Sequence, residues 1–138
     1  MRIEIVKYAD YQDEIVRIRH DVFVIGQNVP SDLEIDGKDP QCLQVLVWDD
    51  QNHPVATGRM QSDGKIGRMA VLESRRGQGI GSLMLDTFVD HARSNAYKQV
   101  YLNSQTHATP FYEKAGFVSE GKIFYEAGIP HVRMVLKF

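Results

Sequence analysis

Apolar positions along this chain switch between alternation and helical spacing, and the switches divide it into elements. Residues 2–8 place Ile3 and Ile5 on one face and predict a first strand. Asp10 stands where it can cap a helix through Ile15, Val16, Ile18, Arg19, Val22 and Phe23, with Asp13 three residues after the cap. That helix should reach about Val24. Residues 26–40 lose the periodicity, with two prolines and two glycines, and read as a loop with room for one helical turn. Residues 43–48 and 55–61 are two strands with a hairpin connection at 49–54, and 62–64 turn the chain into a third at 65–72.

Beyond that strand, Ile80, Leu83, Met84, Phe88, Val89 and Ala92 form one apolar stripe, leaving Asp86, Asp90 and Arg93 for solvent. The helix should therefore begin near Gly79. Residues 99–103 are a short apolar strand, which a right-handed crossover places parallel beside residues 66–72. Thr109 is positioned to cap a further helix, Pro110 suits its first position, and Gly116 should stop it after about two turns. Residues 117–125 and 131–138 complete the sheet as a strand pair. The pattern is α/β, with a mixed, mostly antiparallel central sheet, one parallel strand pair and flanking helices.

The chemistry concentrates between residues 65 and 92, where strand, glycine-rich turn and helix follow one another. Gly77, Gly79 and Gly81 lie at the helix start, where unpaired amide N–H groups and the positive end of the helix dipole favour an anion. Three glycines in a first turn cost roughly 1 kcal/mol each against alanine, so close approach of a bulky polyanion is a natural compensation. Arg75 and Arg76 can add charge-assisted contacts. A tight turn that merely needs glycine, beside two solvated arginines, accounts for the same residues. Two familiar phosphate motifs do not fit: no Gly-Lys-Ser/Thr follows, and the third glycine arrives one residue early for Gly-x-Gly-x-x-Gly.

Arg76-x-x-Gly79-x-Gly81 directly behind Met69-Ala70-Val71 resembles the acyl-CoA pyrophosphate loop of the GCN5-related N-acetyltransferase (GNAT) family. Residues 109–117, Thr-Pro-Phe-Tyr-Glu-Lys-Ala-Gly-Phe, resemble the second hallmark of that family. The order of elements is similar over nearly the whole chain. The resemblance implies a fold whose two parallel strands splay apart around a pantetheine arm, and acetyl-CoA as cosubstrate. It implies that backbone N–H groups of Arg76, Gly77, Gln78, Gly79, Ile80, Gly81 and Ser82 hold the pyrophosphate. Met69 and Val71, with Ala70 between them, would pair with the pantetheine amides, and a backbone N–H near Met69 would polarise the thioester. Tyr112 matches the tyrosine that protonates the leaving thiolate; its plain alternative is a helix tyrosine packed on the core. Asn103 and His107 lie where family members often contact pantetheine or the adenosine side.

A finer resemblance is to the ElaA/YjcF-like branch of the family. It rests on residues 19–24, Gln27, Pro30, Glu34-Ile35-Asp36-Gly37-x-Asp39 and Gly128-Ile129-Pro130-His131 with Met134. Gly26 departs from that branch, which usually has an acidic residue there, and so does Gln44, where histidine is frequent. The general base stays open among Glu73, Glu34, Asp36, Asp39, His20 and His107, and the resemblance implies that a water chain can also take the proton, so an assigned base is not required. The acidic loop holding Asp32, Glu34, Asp36 and Asp39 against Lys38 reads either as solvated or as the border of a site for a cationic amine.

Composition narrows the remaining classes. The 138 residues, 43% apolar and 25% charged, suit one soluble domain spanning 1–138. A net charge of -2 argues against a dedicated nucleic-acid binder. No apolar run suits a membrane span, and the start reads as a strand rather than a signal peptide, so a cytoplasmic protein is expected. Cys42, the single cysteine, excludes an intrachain disulfide and reads as a small buried thiol. Five histidines without His-Glu-x-x-His or cysteine partners give no metal site.

The expected activity is acetyl-CoA-dependent N-acetylation of a small-molecule or peptide amine by direct attack. Homodimers are common in the family. A non-catalytic acyl-CoA sensor is the main alternative, and a nucleotide-binding regulatory domain a weaker one.

Overall fold

In the computed structural model the backbone of all 138 residues is described, and the side chains of all but Asp32 and Leu33. Strand β1 (Arg2–Val6) leads into helix α1 (Tyr8–Arg19), which runs on as a π-helical turn, His20–Ile25. A short helix α2 (Ser31–Glu34) and a 3-10 turn (Asp39–Gln41) interrupt the following loop. Strands β2 (Leu43–Trp48), β3 (Pro54–Met60) and β4 (Ile66–Val71) come next, then helix α3 (Ile80–Ser94). Strand β5 (Gln99–Gln105), a 3-10 turn (Thr106–Ala108), helix α4 (Thr109–Lys114) and strands β6 (Val118–Glu126) and β7 (Ile129–Lys137) complete the chain.

Two antiparallel sheets result, ordered β1-β2-β3-β4 and β5-β7-β6. The expected parallel pair, β4 and β5, shrinks to a single bridge between Lys65 and Tyr101, where the Tyr101 N–H donates to the Gly64 carbonyl at 3.0 Å. Beyond it the strands part. Gly64 sits at the junction with φ +94, and a Cβ there would lie 2.7 Å from the Gln99 carbonyl oxygen. β4 carries a second irregularity. Thr57 pairs with Ala70 and Arg59 with Gly67, so Gly58 alone faces both Arg68 and Met69. This is a bulge, and Arg68 absorbs it in a left-handed conformation, φ 49.

Helix α3 lies on one side, its Met84, Leu85 and Phe88 buried with Val45, Val100 and Met134. Ile15, Ile18 and Val22 pack with Leu46, Trp48 and Ala70 in a second cluster. Leu85 replaces Leu83 in the expected stripe; Leu83 is exposed. A 15-residue helix packed between strands buries a wider arc than the strict spacing allows.

Two expected caps also differ. No side-chain cap bond is made at the start of α1, which begins at Tyr8 and kinks at Tyr11 rather than starting after Asp10. Thr109 lies inside α4, and its hydroxyl donates back to the Thr106 carbonyl. Gly116 does stop α4: φ is +96, and the Gly116 and Phe117 N–H groups close onto Glu113 and Tyr112.

Gly64→Ala should cost roughly 1–3 kcal/mol, from overpacking and left-handed strain together, read as a lower midpoint in urea unfolding.

Candidate active site

Where β4 and β5 separate, a cavity of about 830 Å³ opens. Gly67, Arg68, Met69 and Val71 face it from β4, and Leu102, Asn103 and Gln105 from β5. Val22 and Phe23 of the π-helical turn close one flank, and Glu126, Ile129 and His131 of the β6–β7 hairpin another. Tyr112 enters from α4, and Arg76 and Gly81 mark the end near α3.

At that end the glycine-rich turn differs from the sequence expectation in a way that matters. Gly77 and Gly79 both have φ +79 and lie outside the helix, which begins at Ile80, so only Gly81 bears a helix-propensity cost. A Cβ on Gly77 or Gly79 would meet nothing within 4 Å, so the two glycines are required by backbone conformation and leave open space above the turn. No side chain caps α3 and no acidic residue occupies its first turn. Its first amide N–H groups therefore point outward as orphan donors, the arrangement that binds phosphate. Arg75 is not part of this cradle, because it pairs with Asp49 of the β2–β3 turn. Arg76 remains, its Nε donating to the Val71 carbonyl at 3.2 Å.

Of the residues singled out in the sequence, Met69, Val71, Arg76, Gly81, Asn103, His107 and Tyr112 come together around the cavity. Gly77, Gln78, Gly79 and Ser82 are exposed beside it. Ala70 and Ile80 turn their side chains into the core, leaving only backbone for a ligand. Asn103 is already engaged: its Nδ2 donates to Glu126 Oε1 at 3.1 Å. Tyr112 packs edge-on against Phe111 and Phe117, with ring centroids 4.9 and 6.1 Å away, and burial pushes its phenol above the ordinary value. The tyrosine is thus packed on the core and lines the cavity at once, and it stays protonated at neutral pH.

The acidic loop is not a solvated one. Glu34 and Asp39 are 4% and 3% exposed, and Arg19, at 2%, joins them: Nε to Glu34 Oε1 at 2.5 Å and Nη1 to Asp39 Oδ1 at 2.7 Å. Arg59 bonds Asp39 at 3.0 Å and grips Asp36 with both Nη1 and Nη2, while Arg68 Nη2 donates to the Glu34 carbonyl at 3.1 Å. Hydrogen bonds from Arg59 hold the Asp36 carboxyl far below its usual range. For Asp39 burial works against the charge, but hydrogen bonds from Arg19 and Arg59 prevail and lower its pKa. Burial likewise opposes the charge of Arg59, and Asp36 and Asp39 more than offset it.

Three arginines face three carboxylates in this cluster, so Glu34, Asp36 and Asp39 are each occupied by guanidinium donors, even though Glu34 and Asp36 line the cavity. That removes Glu34, Asp36 and Asp39 as proton acceptors. The side chain of Asp32 lies outside the described residues. His20 lines a separate shallow groove with Asp13 and Arg17, and Glu73 is exposed away from the cavity lining. Gln44 faces the buried cluster, its Nε2 donating to Asp39 Oδ1 and carbonyl at 3.2 Å. Among the described residues, its Oε1 and Arg59 Nε find no hydrogen-bond partner.

Cys42 is half-buried rather than buried, and desolvation raises its thiol pKa, which argues against a nucleophile. Among the described residues no helix is long and apolar enough to cross a membrane. His131, read in the sequence only within a branch motif, is the cavity residue whose chemistry was missed there. The signal was its place at the start of the last strand.

A family model described as "Acetyltransferase (GNAT) domain" matches residues 10–138. The chain belongs to the GNAT family. The uncharacterized N-acetyltransferase YjcF of Bacillus subtilis is 35% identical over 98% of this chain and 99% of its own. The crystal structure of Escherichia coli ElaA matches with a TM-score of 0.87 at 26% identity, covering 98% of this chain and 99% of that one. An acyl-CoA N-acyltransferase from Pseudomonas aeruginosa matches at TM-score 0.86 and 27% identity, with 97% of each chain covered. This GNAT protein is accordingly an N-acetyltransferase of the ElaA/YjcF-like kind, and its splayed β4 and β5 are the fold expected from the sequence.

Arg19→Met should destabilise the protein by roughly 3–5 kcal/mol at neutral pH, because buried Glu34 loses its short ion pair and buried Asp39 keeps only Arg59. Arg19 helps to depress the folded-state pKa of Asp39, and that stabilisation is complete above the unfolded carboxylate range and is lost as pH falls. Thermal unfolding of both proteins should show the gap narrowing as pH drops below about 4.

Proposed function

We propose that residues 1–138 act as one domain that moves an acetyl group from acetyl-CoA to a primary amine by direct attack within a ternary complex. The observation that carries this reading is the opened β4–β5 edge, with the uncapped first turn of α3 at one end and Tyr112 in its wall. The pyrophosphate sits against the amide N–H groups from Gly77 to Ser82, supported by Arg76. Pantetheine runs along Met69 and Val71, using the edge that β5 leaves unpaired as a further strand would.

The bulge at Arg68 and Met69 frees backbone from the β3 ladder, and an N–H there reaches the thioester carbonyl, where negative charge develops. The amine nitrogen attacks the carbonyl carbon from the β6–β7 side. As the C–S bond breaks, Tyr112 donates a proton to the departing sulfur. Its raised pKa keeps the proton available, and a thiolate in the same apolar wall is also more basic than in water. The P. aeruginosa relative, named an acyl-CoA N-acyltransferase, supports the choice of cosubstrate. The acceptor is a small-molecule or peptide amine.

Gly79→Asp places a carboxylate and a strained left-handed side chain against the pyrophosphate, so it should abolish the thermal shift that acetyl-CoA gives the folded wild type. An unchanged shift would remove the loop from the site. Tyr112→Phe should lower kcat about 10- to 100-fold while leaving that thermal shift intact, because only the leaving sulfur loses its donor. Equal turnover in the two proteins would make Tyr112 a packing residue.

A further inference from the structure

The β6–β7 hairpin brings two proton-accepting groups, Glu126 and His131, to the cavity. His131 pairs with Gln105 of β5 and with Phe124 of β6, so the three share one face of the sheet. The imidazole is 8% exposed, stacks on Phe124 at an interplanar angle of 24°, and places Nδ1 2.7 Å from the Ile129 carbonyl oxygen. A carbonyl only accepts, so Nδ1 bears the hydrogen and, in the neutral ring, Nε2 carries a lone pair.

Nε2 lies 3.9 Å from Glu126 Oε2. That is too long for a hydrogen bond, yet an N–H donor at ordinary length from both atoms, about 2.9 Å, fits between them. Asn103 Nδ2 holds the other carboxylate oxygen of Glu126, at 3.1 Å. Both side chains line the cavity.

We propose that Glu126 and His131 form the acceptor subsite, in which a substrate ammonium donates one hydrogen to Glu126 Oε2 and another to His131 Nε2. The inference rests on the acetyl-transfer reading and supplies its proton acceptor. His131 takes one ammonium proton and, as an imidazolium, is balanced by Glu126. The freed lone pair forms the C–N bond, and the C–S bond breaks with its electrons going to sulfur. Of the two protons the nitrogen loses in all, one replaces the proton Tyr112 gives to sulfur and the other reaches solvent through His131.

The charged surroundings leave this pair its role. From β5 the neighbours are the uncharged Asn103 and Gln105, and the adjoining 3-10 turn adds His107. On β7, Arg133 lies over Tyr101 and within 3.6 Å of Glu120. Across the cavity Arg68 is held by Glu34 and Asp36. Glu126 is thus the carboxylate nearest the imidazole, and its side chain is 47% exposed, open to an incoming cation.

Two variants test the pair. His131→Asn keeps a donor for the Ile129 carbonyl and removes Nε2; Glu126→Gln keeps an acceptor for Asn103 and removes the charge. CoA release from acetyl-CoA is followed with ethanolamine, tyramine, spermidine and glucosamine between pH 6 and 10. His131→Asn should lower kcat/KM for the best amine about 100-fold at pH 7, and less as the amine itself deprotonates at high pH. Glu126→Gln should raise the amine KM more than it lowers kcat. Both should keep the acetyl-CoA thermal shift.

Wild-type kcat in His131→Asn, with an unaltered pH profile, would overturn the assignment. A second readout needs no turnover. In long-range ¹H–¹⁵N spectra His131 should be the Nδ1–H tautomer, and spermidine should shift its Nε2 resonance in the wild type but not in Glu126→Gln. An Nε2–H tautomer, or no spermidine-dependent shift, would sink the subsite even if acetyl-CoA binds. Loss of acetyl-CoA binding in the wild type would instead overturn the acetyl-transfer reading and leave the spectra to decide the pair.

Discussion

One backbone bridge governs the layout of this enzyme: the Tyr101 N–H meets the Gly64 carbonyl, and among the described residues β4 and β5 form no ladder beyond it. Two sheets are joined at a point and diverge from it. The large cavity lies in the wedge. The turn that makes the junction is tight enough to exclude any side chain at Gly64, so the origin of the wedge is fixed, while its width is set by what packs on each sheet. Helix α3 spans both sheets beneath it, and Phe88 and Met84 tie β3 and β4 to β5 through a common core. An edge that would ordinarily invite another strand is kept open by geometry rather than by charge.

The sequence made this architecture readable because its strongest signals were local. Strands β2, β3 and β4 emerged from alternation, α3 from its stripe, and the cradle from glycines followed by an amphipathic helix. What it concealed was long-range. Glu34, Asp36 and Asp39 lie in a stretch rich in proline and glycine, which reads as solvated, and their partners Arg19, Arg59 and Arg68 sit in a helix and two strands that no periodicity connects to it. Arg75 and Arg76 are adjacent in sequence, yet one reaches Asp49 and the other the cavity, because the 3-10 turn Glu73–Arg75 ends between them. The bulge in β4 was likewise silent, since its extra residue is an arginine rather than the glycine that would have marked a left-handed position.

The charged cluster also explains why the polar positions shared with the ElaA/YjcF-like branch occur where they do. Arg19, Glu34, Asp36 and Asp39 form a structural tie rather than reaction chemistry, and Gln44 belongs to the same tie. Burying several charges costs desolvation that an apolar core would avoid. In exchange the cluster imposes register. Each carboxylate accepts from a named guanidinium, and a loop shifted by one residue would leave ions unpaired in the interior.

A loop anchored in that way is a wall and cannot serve as a lid. Swinging the segment around Glu34 and Asp39 outward would break several buried ion pairs in one motion, so this wall of the chamber is held in place. Change in substrate range over evolutionary time is correspondingly channelled: replacements at lining positions such as Phe23, Val29 or Gln105 reshape the chamber at small cost, whereas lengthening or shortening the loop dismantles the tie that holds it.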